Sequence, residues 1–196
     1  MRFAVVVDMQ RDFMAADGAL PVPGAEAIVA PVEAWLASLR PDAIAGVLFT
    51  ADTHVPAVYA LSGEARQFPP HCEVGTPGWA LVVDPRAVDR AIPAYRLEKS
   101  VFDMWAQAGL SLERIGTGET TDRDDFFAAL RASGVDEVEV VGVAADYCVR
   151  WAVEGLVARG FRVTVPATLT RGIARGIDMV AAEEWAGRAV TVREAA

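Results

Sequence analysis

The sequence predicts an α/β protein: a three-layer, doubly wound, mainly parallel sheet of about six strands with helices on both faces. Short β-branched runs alternate with longer stretches whose apolar residues recur at helical spacing, from RFAVVVD at 2–8 to RAVTV at 188–192. The strand runs are nearly continuous in apolar residues, which is how strands covered on both faces read. A chain of 196 residues that is 53% hydrophobic and 23% charged can fill one core, so a single domain over 1–196 is expected.

Each element has its own signal. RFAVVVD (2–8) reads as a fully buried strand, and GAEAIVAPVEAWLASLR (24–40) as a helix that Pro31 either kinks or shortens from its N-terminal end. DAIAGVLFTAD (42–52) is the second strand. Residues 53–91 are rich in Pro and Gly; a loop of that length carries function or hides short elements. A third strand falls at 92–97, a helix at 124–134 with Gly134 as its C-terminal cap, and a fourth strand at 137–143. A helix from Tyr147 to Arg159, a strand at 161–167, a helix at 177–187 and a last strand at 188–192 complete the pattern. Strands separated by helices imply right-handed crossovers and a parallel sheet.

Bulk properties narrow the function. The net charge of −9, from 18 basic and 27 acidic residues with no Lys/Arg run, argues against nucleic acid and anionic membranes as partners. No apolar stretch reaches the ~20 residues of a membrane helix. The N-terminus enters a strand at once without a secretory signal, and the two cysteines, Cys72 and Cys148, build no disulfide framework. These features fit the cytoplasm and a small-molecule partner. Trp151, Trp185 and the apolar helices leave a homo-oligomer open, with core packing the plainer reading.

In an open parallel sheet the ligand crevice lies outside the carboxyl ends of the strands. Four such ends carry reactive side chains: Asp8 after FAVVV, Asp52 and His54 after GVLFTA, Lys99 after IPAYRLE, and Cys148 after VEVVGV. Cys148 opens the helix AVEGLVARG, and the positive end of a helix dipole favours thiolate over thiol, hence a nucleophile. With no histidine near Cys148 in the chain, Asp8 is the candidate proton carrier and Lys99 the cation that pairs with it. The turn 143–148, with small residues Ala144 and Ala145, can offer backbone N–H groups to an oxyanion. A lone cysteine is also an ordinary core residue, Asp8 an ordinary cap and Lys99 an ordinary surface lysine; their coincidence at strand ends favours the chemical reading. Cys72 is the rival thiol, with no helix after it.

The second cluster has metal-ligand character. Asp52 and His54 alternate along an extended segment and so share a face, and His71 sits in the proline-restricted loop FPPHC. Two imidazoles and a carboxylate suit zinc, iron(II) or manganese with open positions, and Glu64 is a candidate fourth ligand. Two unrelated polar loop histidines are the plainer alternative; that both histidines of the chain fall here strengthens the metal reading.

Taken together, VVVDMQRDF (5–13), TADTH (50–54) with FPPHC (68–72) and GTPG (75–78), LEKSVF (97–102) and VVGVAADYCV (140–149) resemble the isochorismatase-like cysteine hydrolases, and within them the nicotinamidase branch. The resemblance covers the chain to about residue 175. It implies the isochorismatase-like hydrolase fold, a catalytic triad of Asp8, Lys99 and Cys148, and a divalent metal, zinc first and iron or manganese next, on Asp52, His54, Glu64 and His71. It further implies a cis bond between Val143 and Ala144, an oxyanion hole from the N–H groups of Ala144 and Cys148, and a ring pocket lined by Phe13, Phe68 and Tyr147. The implied reaction is hydrolysis of nicotinamide to nicotinate and ammonia through a cysteine thioester. Two departures stand out. Nicotinamidases often carry a Tyr-Ser-x-Phe stretch after the lysine, where this chain has SVFDMWAQAGLS (100–111), so the pocket wall differs. Ala145 stands where many relatives have threonine, a mild change. The altered wall keeps a related hydrolase of another small amide, a carbamoyl or ureido compound, as the alternative. A catalytically silent scaffold would not retain the whole set, and vinyl-ether hydrolysis of isochorismate would leave Cys148 unexplained.

Overall fold

Residues 3, 5 and 7 of the first strand point to one side of the sheet and residues 4 and 6 to the other, and all are buried, so helices must cover both faces. The structure, a computed structural model, describes residues 1–194; the last two residues of the expected span 1–196 lie outside it. Its nine strands form one sheet: β1 (Arg2–Val7), β2 (Ile44–Asp52), β3 (Ala94–Lys99), β4 (Ser111–Arg114), β5 (Thr120–Asp122), β6 (Glu137–Val143), β7 (Arg162–Pro166), β8 (Thr170–Arg171) and β9 (Val190–Arg193). The order is β5-β4-β3-β2-β1-β6-β7-β9, with β8 paired to β6. β1, β2, β6, β7, β8 and β9 are parallel to their partners, as β3 is to β2; β4, antiparallel to β3, and β5, antiparallel to β4, are additions at one edge.

The helices are α1 (Arg11–Met14), α2 (Val29–Ser38), α3 (Pro56–Tyr59), α4 (Arg123–Ala132), α5 (Cys148–Ala158) and α6 (Ile177–Glu184). On one face Val149, Ala152, Val153 and Leu156 of α5 and Phe127 of α4 pack on Phe3, Val5, Val138 and Val140. On the other, Val32 and Leu36 of α2 pack on Ala4, Val6, Val141 and Val143.

The expected segment 24–40 divides at Pro31. A 3₁₀ turn, Ala25–Ile28, precedes α2, so that Pro31 lies in the first turn of the α-helix, where a missing N–H leaves no bond unmade. The loop 53–91 hides α3 and three 3₁₀ turns. Asp122 caps α4 by accepting from the N–H of Asp124 at 2.8 Å, and Gly134 follows its end at φ +89°. The third strand runs to Lys99, two residues further than expected, because the Asp52–Lys99 pair extends the β2–β3 ladder. The last helix ends at Glu184 rather than at 187, and the last strand is 190–193. Trp185 is in the core and Trp151 is half-buried on α5. Among the described residues no helix is long and apolar enough to cross a membrane.

From β1 the chain builds outward through β2 and β3, then returns to lay β6 on the opposite side of β1. The carboxyl ends of β1 and β6 therefore flank the point where the strand order reverses, and Asp8 and Cys148 lie just beyond them.

Candidate active site and metal centre

Asp8 follows β1 with φ +47°, a left-handed backbone that L-residues seldom adopt, and it turns the chain sharply off the strand. Its carboxylate is fully buried and held on both sides. Thr50 of β2 donates its hydroxyl to Asp8 Oδ1 at 2.6 Å, and Lys99 Nζ lies 2.8 Å from Oδ2. The same ammonium lies 3.4 Å from Cys148 Sγ and 3.5 Å from Asp52 Oδ1. One amine, 2% exposed, thus touches the thiol, the first carboxylate and the first metal-ligand candidate.

The electrostatics of this trio correct one expectation. Cys148 does open α5, with Tyr147 as N-cap. Yet the helix terminus does not give a standing thiolate. Burial pushes the thiol well above its ordinary pKa; the Lys99 charge opposes this, while Asp8 and Asp52 add to it. Burial acts the other way on Lys99, but the charges of Asp52 and Asp8 overcome it and hold the amine well above its usual range. Asp52 behaves likewise: burial would raise its carboxyl, and Lys99 with His54 and His71 holds it below the usual carboxylate range. The resting site is a thiol beside an ammonium–carboxylate pair.

Between Val143 and Cys148 the peptide 143–144 is cis. The N–H groups of Ala145 and Tyr147 are engaged with Arg171 O at 2.8 Å and Ala144 O at 3.0 Å. Those of Ala144 and Cys148 donate to no backbone carbonyl of the turn among the described residues, and Cys148, as the first residue of α5, has no intrahelical acceptor. Among the described residues these two donors are therefore unengaged, and both residues line the pocket that holds Sγ.

One ligand atom from each of Asp52, His54, Glu64 and His71 lies within 4.8 Å of the others, and all four residues are buried. His54 Nε2 is 3.1 Å and His71 Nε2 3.3 Å from Asp52 Oδ2; Glu64 Oε1 is 3.8 Å from His54 Nε2 and 3.4 Å from His71 Nε2. Residues 72–74 bring His71 back to the end of β2 by running beside His54, whose N–H donates to Cys72 O at 3.1 Å and whose carbonyl accepts from Val74 N at 2.9 Å. His71 Nδ1 donates to the Pro69 carbonyl at 2.8 Å, which turns Nε2 inward. Glu64 Oε1 and His71 Nε2 are buried without hydrogen-bond partners. Asp52 and Glu64 set two carboxylates against the two imidazoles inside one buried cluster. A divalent cation answers both the orphaned atoms and the charge, so the residues fit a metal. Burial alone would lower the His71 pKa, but the carboxylates of Asp52 and Glu64 push it up to about 10.

Phe13, Phe68 and Tyr147 line a pocket with Cys148, Ala144 and Asp52, as expected. Phe102 joins them: its ring centroid is 5.6 Å from that of Phe68 and 5.2 Å from that of Tyr147. The structure therefore brings together every site residue that the sequence pointed to.

It also reveals supports that the sequence did not single out. Gln10 Nε2 donates to Asp52 O at 2.7 Å while its Oε1 accepts from Asp52 N at 2.7 Å, gripping the ligand's backbone. Asp12 Oδ2 accepts from Cys72 N at 2.8 Å beside His71, and a Cβ at Gly78 would overlap the Asp12 carboxyl. Tyr59 donates to Pro69 O at 3.0 Å and packs against both imidazoles, with centroids at 4.5 and 5.4 Å. Asp146 accepts from the N–H groups of Ile173, Ala174 and Arg175 at 2.8–3.0 Å and so fixes Ile173 in the pocket wall. Gln10 and Asp12 stand in the expected segment VVVDMQRDF, and Asp146 in VVGVAADYCV, but a side chain bonding a distant backbone has no spacing signal.

The isochorismatase domain description matches residues 3–196. A Mycobacterium tuberculosis nicotinamidase/pyrazinamidase is 34% identical over 187 residues, 94% of each chain. The chain belongs to the isochorismatase family. Among solved members of this family, the pyrazinamidase of Pyrococcus horikoshii in complex with zinc superposes with a TM-score of 0.73 at 28% identity, over 99% of each chain. The N-carbamoylsarcosine amidase of Thermoplasma acidophilum shares the fold with a TM-score of 0.70 at 24% identity, over 99% of this chain and 96% of that one. In isochorismatase-family terms, the mostly parallel sheet, the thiol at the β6–α5 turn and the buried acid–amine pair form one crevice at the switch point.

Proposed function

We propose that the protein is a nicotinamidase, an amidohydrolase that converts nicotinamide to nicotinate and ammonia, with Asp8, Lys99 and Cys148 as its catalytic residues. The observation that carries this reading is Lys99 Nζ, placed 2.8 Å from Asp8 Oδ2 and 3.4 Å from Cys148 Sγ while touching Asp52 of the metal cluster. The 34% identity to a nicotinamidase/pyrazinamidase and the aromatic pocket wall favour a ring-bearing carboxamide over a carbamoyl compound. The metal is zinc in this reading, by analogy with the zinc-bound relative and from the mixed His/carboxylate donor set.

Asp52, His54, Glu64 and His71 would hold the divalent ion, which would supply Lewis acidity toward the ring of the amide. The chain does the rest. Phe13 and Phe68 hold the ring, with Tyr147 on the pocket wall beside the thiol. Because the resting thiol is protonated, its proton must leave as the C–S bond forms, and Asp8 takes it. Sγ attacks the carboxamide carbon, and the N–H groups of Ala144 and Cys148 hold the developing oxyanion. Asp8 then passes the proton to the departing amine, and the C–N bond breaks to leave a thioester and ammonia. Asp8 next draws a proton from water, whose oxygen attacks the thioester carbon; nicotinate leaves and the proton returns to Sγ. Lys99 stays an ammonium throughout and holds Asp8 Oδ2 at 2.8 Å between transfers.

Ammonia release from nicotinamide tests the reading. Cys148→Ala should lose activity by about 10⁴-fold or more while keeping its fold by circular dichroism. Release near the parental rate would remove the thiol from the mechanism.

A further inference from the structure

The pocket at Cys148 is nearly closed. Its free space is about 20 Å³, enough for one water and far short of a pyridine carboxamide. Phe68, Phe102 and Tyr147 meet edge-on or tilted over it, with centroids 5.2–5.6 Å apart. On the other side of Phe102 lies a mainly apolar groove of about 510 Å³, formed by Val101, Ala106 and Trp151 among others. Among the described residues Phe102 is the one that lines both spaces.

The loop around Phe102 is pinned while its ring is not buried. The Gln107 side chain accepts from Ser100 N at 2.8 Å, and Trp105 Nε1 donates to Trp151 O at 3.1 Å, tying the loop to itself and to α5. Trp151 follows Tyr147 by one helical turn, so the inner and outer spaces share one face of α5 as a floor. A half-buried ring on a fixed backbone, with open apolar space on one side only, has one direction in which to turn.

We propose that Phe102 is the specificity-determining wall of the active site: its ring bars the pocket from the groove of Val101, Ala106 and Trp151, which becomes a subsite for an apolar substituent on the ring of the amide substrate once that ring is cut away. Turned outward, Phe102 admits a simple pyridine carboxamide; removed, it joins the two spaces and admits a larger one. The inference rests on the nicotinamidase reading and deepens it.

Calorimetric binding to the Cys148→Ala protein, which cannot turn substrate over, gives the test. Nicotinamide and quinoline-3-carboxamide, its benzo-fused analogue, are compared with and without Phe102→Ala. The ratio of the two affinities should shift about tenfold or more toward the larger amide in Phe102→Ala, the scale of a few ring carbons gaining an apolar site. Adding Ala106→Phe, which refills the groove, should cancel the shift. Phe102→Leu should give an intermediate ratio and covers the case of a poorly folding alanine variant. Nicotinamide binding with an unchanged ratio would overturn the subsite alone. Binding of neither amide in any variant, together with no ammonia release by the parent enzyme, would overturn the subsite and the functional reading together.

Discussion

Lys99 balances the charge of the crevice. Its ammonium stands against Asp8 and Asp52, all three essentially without solvent, so removing it strands carboxylates that have no water to turn to. Lys99→Met keeps the length and apolar stem of the side chain and deletes only the charge. Removing one partner of a buried ion pair typically costs about 3–5 kcal/mol, and chemical denaturation should report a loss of that size together with abolished ammonia release. A loss below about 1 kcal/mol would mean that the ion pair does not hold the site together. The candidate site residues were legible in the sequence because each stands at a strand end or beside the scarce histidines: Asp8, Asp52, His54, His71, Lys99 and Cys148 all do. The thiol's protonation was not legible. The position of a helix terminus can be read from a sequence, but the 6% exposure of Cys148 and the carboxylates facing it are products of the fold.

At the scale of elements, β1 and β6 must lie close enough for Asp8 and Cys148 to share one amine. Gly142 makes this approach. At φ +112° it sits in a region that L-residues rarely adopt, and a Cβ there would overlap Val7 O. Gly142→Ala should destabilise the protein by roughly 3 kcal/mol or more, from backbone strain and the clash together. It should also lower activity in the fraction that folds, since the β6–α5 turn would move away from β1. An unchanged denaturation midpoint would show that the sheet absorbs a methyl there. The core elements were visible as apolar runs, yet β4, β5 and β8 were not. The expected sheet of about six strands has nine among the described residues. Ser111–Arg114 and Thr120–Asp122 are an exposed edge hairpin with a single buried residue, Leu112, so no hydrophobic period marks them. β8 has two residues, too few for any period. Phe102 escaped for a related reason, lying in a loop without pattern where only the fold shows that it faces the pocket.

At the scale of the whole molecule, the metal cluster joins the end of β2 to the long loop 53–91, which otherwise packs through short 3₁₀ turns. Binding there is coupled to the fold and to protons. In the metal-free protein the carboxylates of Asp52 and Glu64, 3.3 and 3.4 Å from Nε2, push His71 up to about 10, above its unfolded value, so the ion pairs of its charged form add stability that is complete below about pH 6.5 and lost as pH rises through about 10. Asp52, held below the usual carboxylate range, stays ionised over the same interval and contributes no slope. A metal needs the bare Nε2 of His71, so uptake at neutral pH must expel that proton. Titrating zinc into chelator-treated protein, in buffers of differing ionisation enthalpy, should therefore release about one proton per site, and apparent affinity should rise about tenfold per pH unit between pH 6 and 8. Restoring the metal should raise the melting temperature, because the ion binds the folded chain far better than the unfolded one. Proton release near zero and an affinity flat across that range would show that His71 is already bare at neutral pH, and its ion pairs with Asp52 and Glu64 would then add no stability there.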